Sequence, residues 1–254
     1  MEPQGLRISS DRFSLTTTGD DPMQMDSIIS ELQTLTRRTY GQFCGLSRAL
    51  EAVGERWGLL IVRDLLVTPR DVAQLHRGLP MIPVELLASR LTELERSGVI
   101  RRQPRNGSAG PDIYELTEYG AALEDAVIAL GRWGAKLMKK QHPEEIVTVD
   151  ALIIGLRTTY QAAAARGLHA SFEVRAGNAV LHLIVNDGAL TANAGPLPDA
   201  DLVLDPGISL KALLTGELAA SDALENGNVR ITGDVELFHR FVEIFRLPEM
   251  PGPA

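Results

Sequence analysis

Residues 71–102 read DVAQLHRGLPMIPVELLASRLTELERSGVIRR, and the punctuation of this stretch decides the fold of the first half of the chain. Asp71 stands where a side-chain oxygen caps a helix N-terminus, and the short apolar pattern behind it runs to Gly78, placed for a left-handed C-terminal turn. After Leu79-Pro80-Met81-Ile82, Pro83 suits the first turn of a second helix, where its missing N–H has no intrahelical partner to lose. Val84, Leu87, Leu91 and Leu94 then recur at three- and four-residue steps until Ser97-Gly98 ends the run. Two short helices joined this tightly predict a helix-turn-helix whose second member is the recognition helix.

Outward from that stretch, Leu46, Leu50, Val53, Trp57, Leu60, Ile61 and Leu65 predict one amphipathic helix of about five turns upstream. Downstream, Val99–Arg102 and Asp112–Leu116 read as strands, joined by Gln103 to Pro111, a loop rich in turn formers and hence the candidate wing. Thr117 is placed to cap a closing helix carrying Tyr119, Leu123, Val127, Leu130 and Trp133 and ending in a basic run. The outline is a winged helix-turn-helix.

The second half has a different grammar. Val147 to Ala165 reads as an amphipathic helix, and His169–Arg175 and Ala179–Asn186 alternate at the strand period. Asp187-Gly188 signals a hairpin into Ala189–Ala194, and Asp201–Leu204 supplies a fourth strand. Two short helices around Ile208–Leu214 and Glu217–Leu224, a strand over Asn228–Thr232 and a helix capped by Asp234 close the chain. Strands with helices gathered on one face predict an α+β fold.

The chain has 254 residues, enough for two domains with separate cores, and 44% hydrophobic against 23% charged residues excludes a fibrous or disordered class. The expected division is a disordered tail over 1–25, a winged unit over 26–140, an α+β domain over 145–247 and a short tail over 248–254. Net charge is −8, which by itself argues against nucleic acid. Counted by region the argument reverses: Arg37–Lys140 holds 16 basic against 12 acidic residues, and Gln141–Ala254 holds 7 against 15. A single cysteine, Cys44, excludes an intrachain disulfide, and with no secretory signal pattern a cytoplasmic location is expected.

The runs Tyr40-Gly-Gln-Phe-Cys44-Gly-Leu46, Gly54-Glu-Arg-Trp57, Leu60-Ile-Val-Arg63-Asp-Leu-Leu66, Leu87-Ala-Ser-Arg90-Leu-Thr-Glu-Leu94-Glu-Arg-Ser-Gly98, Thr117-Glu-Tyr119-Gly120 and Arg132-Trp133-Gly134 resemble the HxlR family of bacterial winged-helix regulators. Asp201-Leu-Val-Leu-Asp205, Leu213-Leu-Thr-Gly216 and Arg230-Ile-Thr-Gly233-Asp-Val-Glu-Leu-Phe238 resemble a sterol carrier protein 2 domain. The resemblance implies a homodimeric, sequence-specific DNA-binding regulator of a double-stranded operator, with repression the expected sign and no membrane partner. It also implies a fatty acyl or sterol-like ligand in the second domain. The competing class is a lipid-binding or assembly module with secondary DNA binding, or a thiol-based sensor acting through Cys44.

Major-groove readout falls to the exposed N-terminal face of a recognition helix, here Val84, Glu85, Ser89 and Arg90. Arg70, Arg102 and Arg105 are expected on phosphates or in the minor groove. Phe172, Leu181, Leu183, Leu204, Leu214, Phe238, Phe241 and Phe245 are either a core or a core with a slot for the apolar ligand. The histidines lie in different elements without a nucleophile or metal-ligand spacing beside them, so no enzyme, metal or cofactor is expected.

Overall fold

The computed structural model describes residues 39–104, 110–138, 142 and 144–247. The expected tails, Arg105 of the candidate wing, and Lys139 and Lys140 lie outside the described residues. Two compact units divide at Ser47. Of the first, the described part carries Cys44, which is exposed, and Ser47, whose hydroxyl donates to Gln42 Oε1 at 3.1 Å.

Helix α1 spans Gly45–Val53 and α2 spans Gly58–Leu65. The single upstream helix expected from periodicity is therefore two. A side chain at Gly54 would meet Leu50 O at 2.5 Å, and Trp57 then turns the chain at φ 81° before α2 starts. That left-handed conformation costs a bulky residue about 1–3 kcal/mol and needs support from its surroundings.

Helix α3 spans Val72–Gly78, and its N-terminus has the expected cap: Asp71 Oδ1 accepts from the Gln74 amide at 2.7 Å while Gln74 Oε1 accepts from the Asp71 amide at 2.9 Å. Gly78 does not take the left-handed turn expected of it; Leu79 forms the C-cap. Glycine is required there for space, because a methyl would stand 2.7 Å from Asp64 Oδ2. Helix α4 spans Val84–Arg96 with Pro83 at the N-cap, one position before the expected one, and Gly98 ends the turn at φ 72°.

Strands β1 (Ile100–Gln103) and β2 (Ile113–Leu116) pair antiparallel, Ile100 opposite Leu116. Arg70 joins the hairpin from outside: its amide donates to Tyr114 O at 3.0 Å and the Tyr114 amide donates back to Arg70 O at 2.8 Å. The closing helix is also split, into α5 (Glu118–Ala121), capped by Thr117, and α6 (Glu124–Ala135). Ile61, Val62, Leu65, Leu75, Leu87, Leu91, Leu94, Val99 and Ile100 form the core of this part.

Helix α7 spans Val149–Thr159, capped by Thr148, and stops six residues short of the expected end at Ala165. Strands β3 (His169–Ala176), β4 (Ala179–Asn186), β5 (Ala189–Ala194) and β6 (Leu202–Asp205) follow. Helices α8 (Leu210–Thr215) and α9 (Ala220–Glu225), strand β7 (Arg230–Gly233) and helix α10 (Val235–Ile244) complete the chain. The sheet runs β5-β4-β3-β6-β7, antiparallel except for the β3–β6 pair. Asp187 and Gly188 both carry positive φ, as the β4–β5 hairpin turn demands.

Period-two burial places Phe172, Val174, Leu181, Leu183 and Val185 on one face of the sheet, under Phe238, Phe241 and Phe245 of α10 and its C-cap. Glu173 points the other way and is also buried. Burial alone would raise its pKa, but the Leu197 amide and Arg175 both donate to it and hold the carboxyl below its ordinary range. It thereby fastens the crossing loop from β5 to β6.

Helix α7 serves both halves. Ile153 and Leu156 belong to the core under the sheet, whereas Ile154, about 100° around the helix from Ile153, belongs to the core of the winged part. Two polar contacts also tie this helix to the winged part: Arg157 Nη1 donates to Leu66 O at 3.2 Å, and Arg132 Nε donates to Thr158 O at 2.9 Å. Gly131 lets α6 approach, since a methyl there would stand 3.0 Å from Thr158 Oγ1. Both tryptophans, Trp57 and Trp133, lie in the winged part. Tryptophan fluorescence and far-ultraviolet circular dichroism should therefore report one coincident urea transition, and Ile154→Ala should shift both by about 3 kcal/mol. Two separated transitions would contradict the shared helix.

Candidate nucleic-acid interface

Leu87, Leu91 and Leu94 anchor the underside of α4, which leaves Val84, Glu85, Ala88, Ser89 and Thr92 exposed along its upper face. Val84 is 51% exposed, a large apolar side chain half open to solvent. Glu85 in the first turn is favoured by the helix dipole and presents an acceptor at the end of the face. Val84, Glu85 and Ser89 thus share one open surface.

Arg90 lies at the flank of that surface, its side chain only 12% exposed. Its Nε donates to Arg56 O at 3.2 Å, Nη2 reaches Glu55 at 3.3 Å and Nη1 pairs with Glu93. The Arg56 guanidinium in turn lies 5.3 Å above the Trp57 ring. Arg90 therefore ties α4 to the strained turn before α2. The i,i+3 pairing with Glu93 was visible in the sequence, but nothing in the local sequence signals the bonds across to residues 55 and 56.

Arg70 is also engaged. Its side chain is 19% exposed, and Nη2 donates to Asp150 Oδ1 at 2.5 Å, so it faces α7 while its backbone extends the hairpin. Arg102 is exposed at the stem of the wing and pairs with Asp112, whose carboxylate raises the guanidinium pKa. On the neighbouring positions Arg101 Nε donates to Glu115 at 2.6 Å and Gln103 Nε2 donates to the same oxygen at 2.6 Å, which holds the Glu115 carboxyl below its usual range. Arg105 lies outside the described residues.

Two cations outside the predicted set of contacts stand open, Arg96 among them as the surface residue its position suggests. Arg77, on the exposed side of α3, and Arg96, at the end of α4, make no ion pair among the described residues. Arg77 follows the buried Leu75 by two positions, a spacing that turns it outward on a helix; that periodicity was the available signal.

Elsewhere, the Cys44 thiol is lowered from its ordinary pKa by the backbone amides of Ser47 and Leu46. Of the eight apolar residues assigned to a ligand, seven are fully buried and Leu214 is half-buried, all within one cluster. The Phe241 and Phe245 centroids are 4.7 Å apart and those of Phe172 and Phe241 are 5.4 Å apart, the spacing of packed rings. Tyr160 stands 5.3 Å from Phe245, and its hydroxyl is buried without a hydrogen-bond partner. Along α6 and just past it, Leu130, Trp133 (63% exposed) and Leu137 form an open apolar stripe. Among the described residues no helix is long and apolar enough to cross a membrane.

Residues 52–142 match the family described as HxlR-like helix-turn-helix, and residues 155–246 match the SCP-2 sterol transfer family. Similar proteins include the HTH-type transcriptional regulator Rv3095 of Mycobacterium tuberculosis, 40% identical over 106 residues, which are 42% of this chain and 65% of that one. The chain thus spans less than two thirds of the mycobacterial relative. YtcD of Bacillus subtilis, also an HTH-type transcriptional regulator, is 30% identical over 41% of this chain and 83% of its own. The solved structure of reduced YodB from Bacillus subtilis is 29% identical, covers 40% of this chain and all of that one, and superposes with a TM-score of 0.35. With the capped helix pair, the hairpin and the second sheet in place, the chain belongs to the HxlR family of helix-turn-helix transcriptional regulators and carries an SCP-2 domain after that unit.

Proposed function

We propose that the chain is a sequence-specific transcriptional regulator that binds duplex DNA as a homodimer, most simply as a repressor. One observation carries the reading: α4 is fixed from beneath by three buried leucines and presents an open N-terminal face beside a hairpin. Val84, Glu85 and Ser89 face the base edges, where Glu85 accepts from cytosine and Val84 meets a thymine methyl. Arg77, Arg96 and Arg102, together with Arg105, meet the phosphates. Arg90 acts in this reading by holding α4 in place, and Arg70 is left out of the DNA surface because it is paired with Asp150. The stripe of Leu130, Trp133 and Leu137 receives a second copy of the chain, since so large an exposed apolar surface is unfavourable in a monomer.

A second reading, control by an amphipathic ligand with a fatty acyl or sterol-like body, is favoured by the orphan Tyr160 hydroxyl at the edge of the aromatic core. A ligand's polar end would satisfy it, at the cost of parting the packed phenyl rings. Native mass spectrometry of the full chain checks this: a retained lipid mass supports it, and an empty protein returns the eight residues to the core. Control through Cys44 is the remaining alternative, supported by its exposure and lowered pKa.

Fluorescence anisotropy with a short duplex tests the main reading. If the dimer neutralises about six phosphates, log affinity falls against log salt with a slope near −5, and Arg77→Ala reduces the slope by about two per dimer. Salt-independent binding would overturn it. Arg90→Ala should lower stability by about 1–3 kcal/mol while the sequence selected from a random duplex pool stays the same. A changed base preference with unchanged stability would return Arg90 to the reading face.

A further inference from the structure

Four charged side chains meet where α2, the α2–α3 connection and α7 come together. Asp64, 1% exposed, accepts from Arg63 Nε on Oδ1 at 2.8 Å, and Asp150 accepts from Arg70 Nη2 on Oδ1 at 2.5 Å. The other oxygen of each carboxylate faces Gly78 of α3: a methyl on that glycine would stand 2.7 Å from Asp64 Oδ2 and 3.8 Å from Asp150 Oδ2. Asp64 Oδ2 is buried with no donor, and Arg70 Nε is buried with no acceptor. A buried acceptor without a donor is destabilising, and a second carboxylate beside it adds repulsion. A single proton on Asp64 relieves the repulsion, since that carboxyl then carries no charge beside Asp150.

Arg70 transmits the consequence. Its backbone pairs on both sides with Tyr114 of β2, and the next residue is Asp71, the cap of α3. Whatever holds the Arg70 side chain therefore holds the base of the wing and the start of the helix-turn-helix.

We propose that Asp150, contributed by the helix that the second domain shares, is a positioning residue for the wing and the helix-turn-helix, and that a proton taken up by Asp64 tightens its hold. The charged groups acting on Asp64 are Arg63 from α2, Asp150 from α7 and Arg70 from the connection, and α3 presents Gly78. Burial pushes the Asp64 carboxyl above its ordinary range; Arg63 opposes the shift and the Asp150 charge adds to it. Burial likewise raises Asp150, against Arg70. A carboxyl whose folded pKa is raised binds its proton more tightly in the folded, latched state. The contribution is therefore complete below the ordinary value of about 3.9, is lost as pH rises through the raised folded value, and is constant above it. This pair strengthens on acidification, opposite in sign to the lowered carboxyls of Glu115, Asp201 and Asp205.

The proposal rests on the DNA reading only for its consequence, and its test uses no DNA. Hydrogen exchange of the Arg70 and Tyr114 amides is followed in the full chain between about pH 5 and about pH 8, corrected for intrinsic rates, with the Val174 amide in β3 as reference. Wild-type protection at Arg70 and Tyr114 falls relative to Val174 as pH rises, the opening constant changing about tenfold for each pKa unit separating the latched and open states. Asp64→Asn holds the neutral form and keeps the low-pH protection throughout. Asp150→Asn lowers protection at those two amides at every pH. The same pH dependence in wild type and Asp64→Asn, no dependence in wild type, or unchanged protection in Asp150→Asn would each overturn the proposal. A chain that shows these effects and ignores duplex DNA overturns the DNA reading alone.

Discussion

The rest of the structure depends on one helix being buried from two sides. A helix of eleven residues on a small domain ordinarily buries one stripe and leaves the other to water. Here Ile153 and Leu156 fill the core beneath the five-stranded sheet, and Ile154 fills the core beneath the helix-turn-helix. Removing the helix would open a cavity on both sides at once, so neither packing arrangement is complete without it. The two family matches leave residues 143–154 between them, yet most of the helix that joins the two cores lies in that interval.

Charge follows the same logic of internal engagement. The winged part carries more basic than acidic residues, but several of its arginines answer to carboxylates of the same chain: Arg63 to Asp64, Arg70 to Asp150, Arg90 to Glu93, Arg101 to Glu115 and Arg102 to Asp112. The exposed pairs at the wing stem are worth little to stability. Buried ones are different, because breaking Arg70–Asp150 leaves a charge with little water to receive it.

Much of the fold was legible because it rests on local rules. The Asp71 cap, the three leucines of α4, the Asp187-Gly188 turn and the alternation in β3 and β4 are each decided by neighbours within a few residues, and each stands where the pattern puts it. The misreadings share a cause as well. The apolar period continues unbroken through Gly54 and Trp57, so it cannot show that the helix stops there; the break is a matter of a left-handed turn held from across the fold by Arg90. Gly78 looked like a turn glycine and is instead a space left for Asp64. Arg70 and Arg90 looked like free cations because their partners, Asp150 and Glu55, are eighty and thirty-five positions away. Of the candidate recognition surface, Val84, Glu85 and Ser89 were identifiable from helical phase alone, whereas which arginines remain open was decided by tertiary pairing.

Whether one helix makes the DNA-binding unit and the SCP-2 domain mechanically continuous is decided by native-state hydrogen exchange on two full-length variants, Ile153→Ala and Ile154→Ala. Ile153 touches one core and Ile154 the other. If the helix couples them, each variant lowers protection both in α4 and in strands β3 and β4. If Ile153→Ala loosens only the sheet and Ile154→Ala only the helix-turn-helix, the two halves are independent and the account is contradicted.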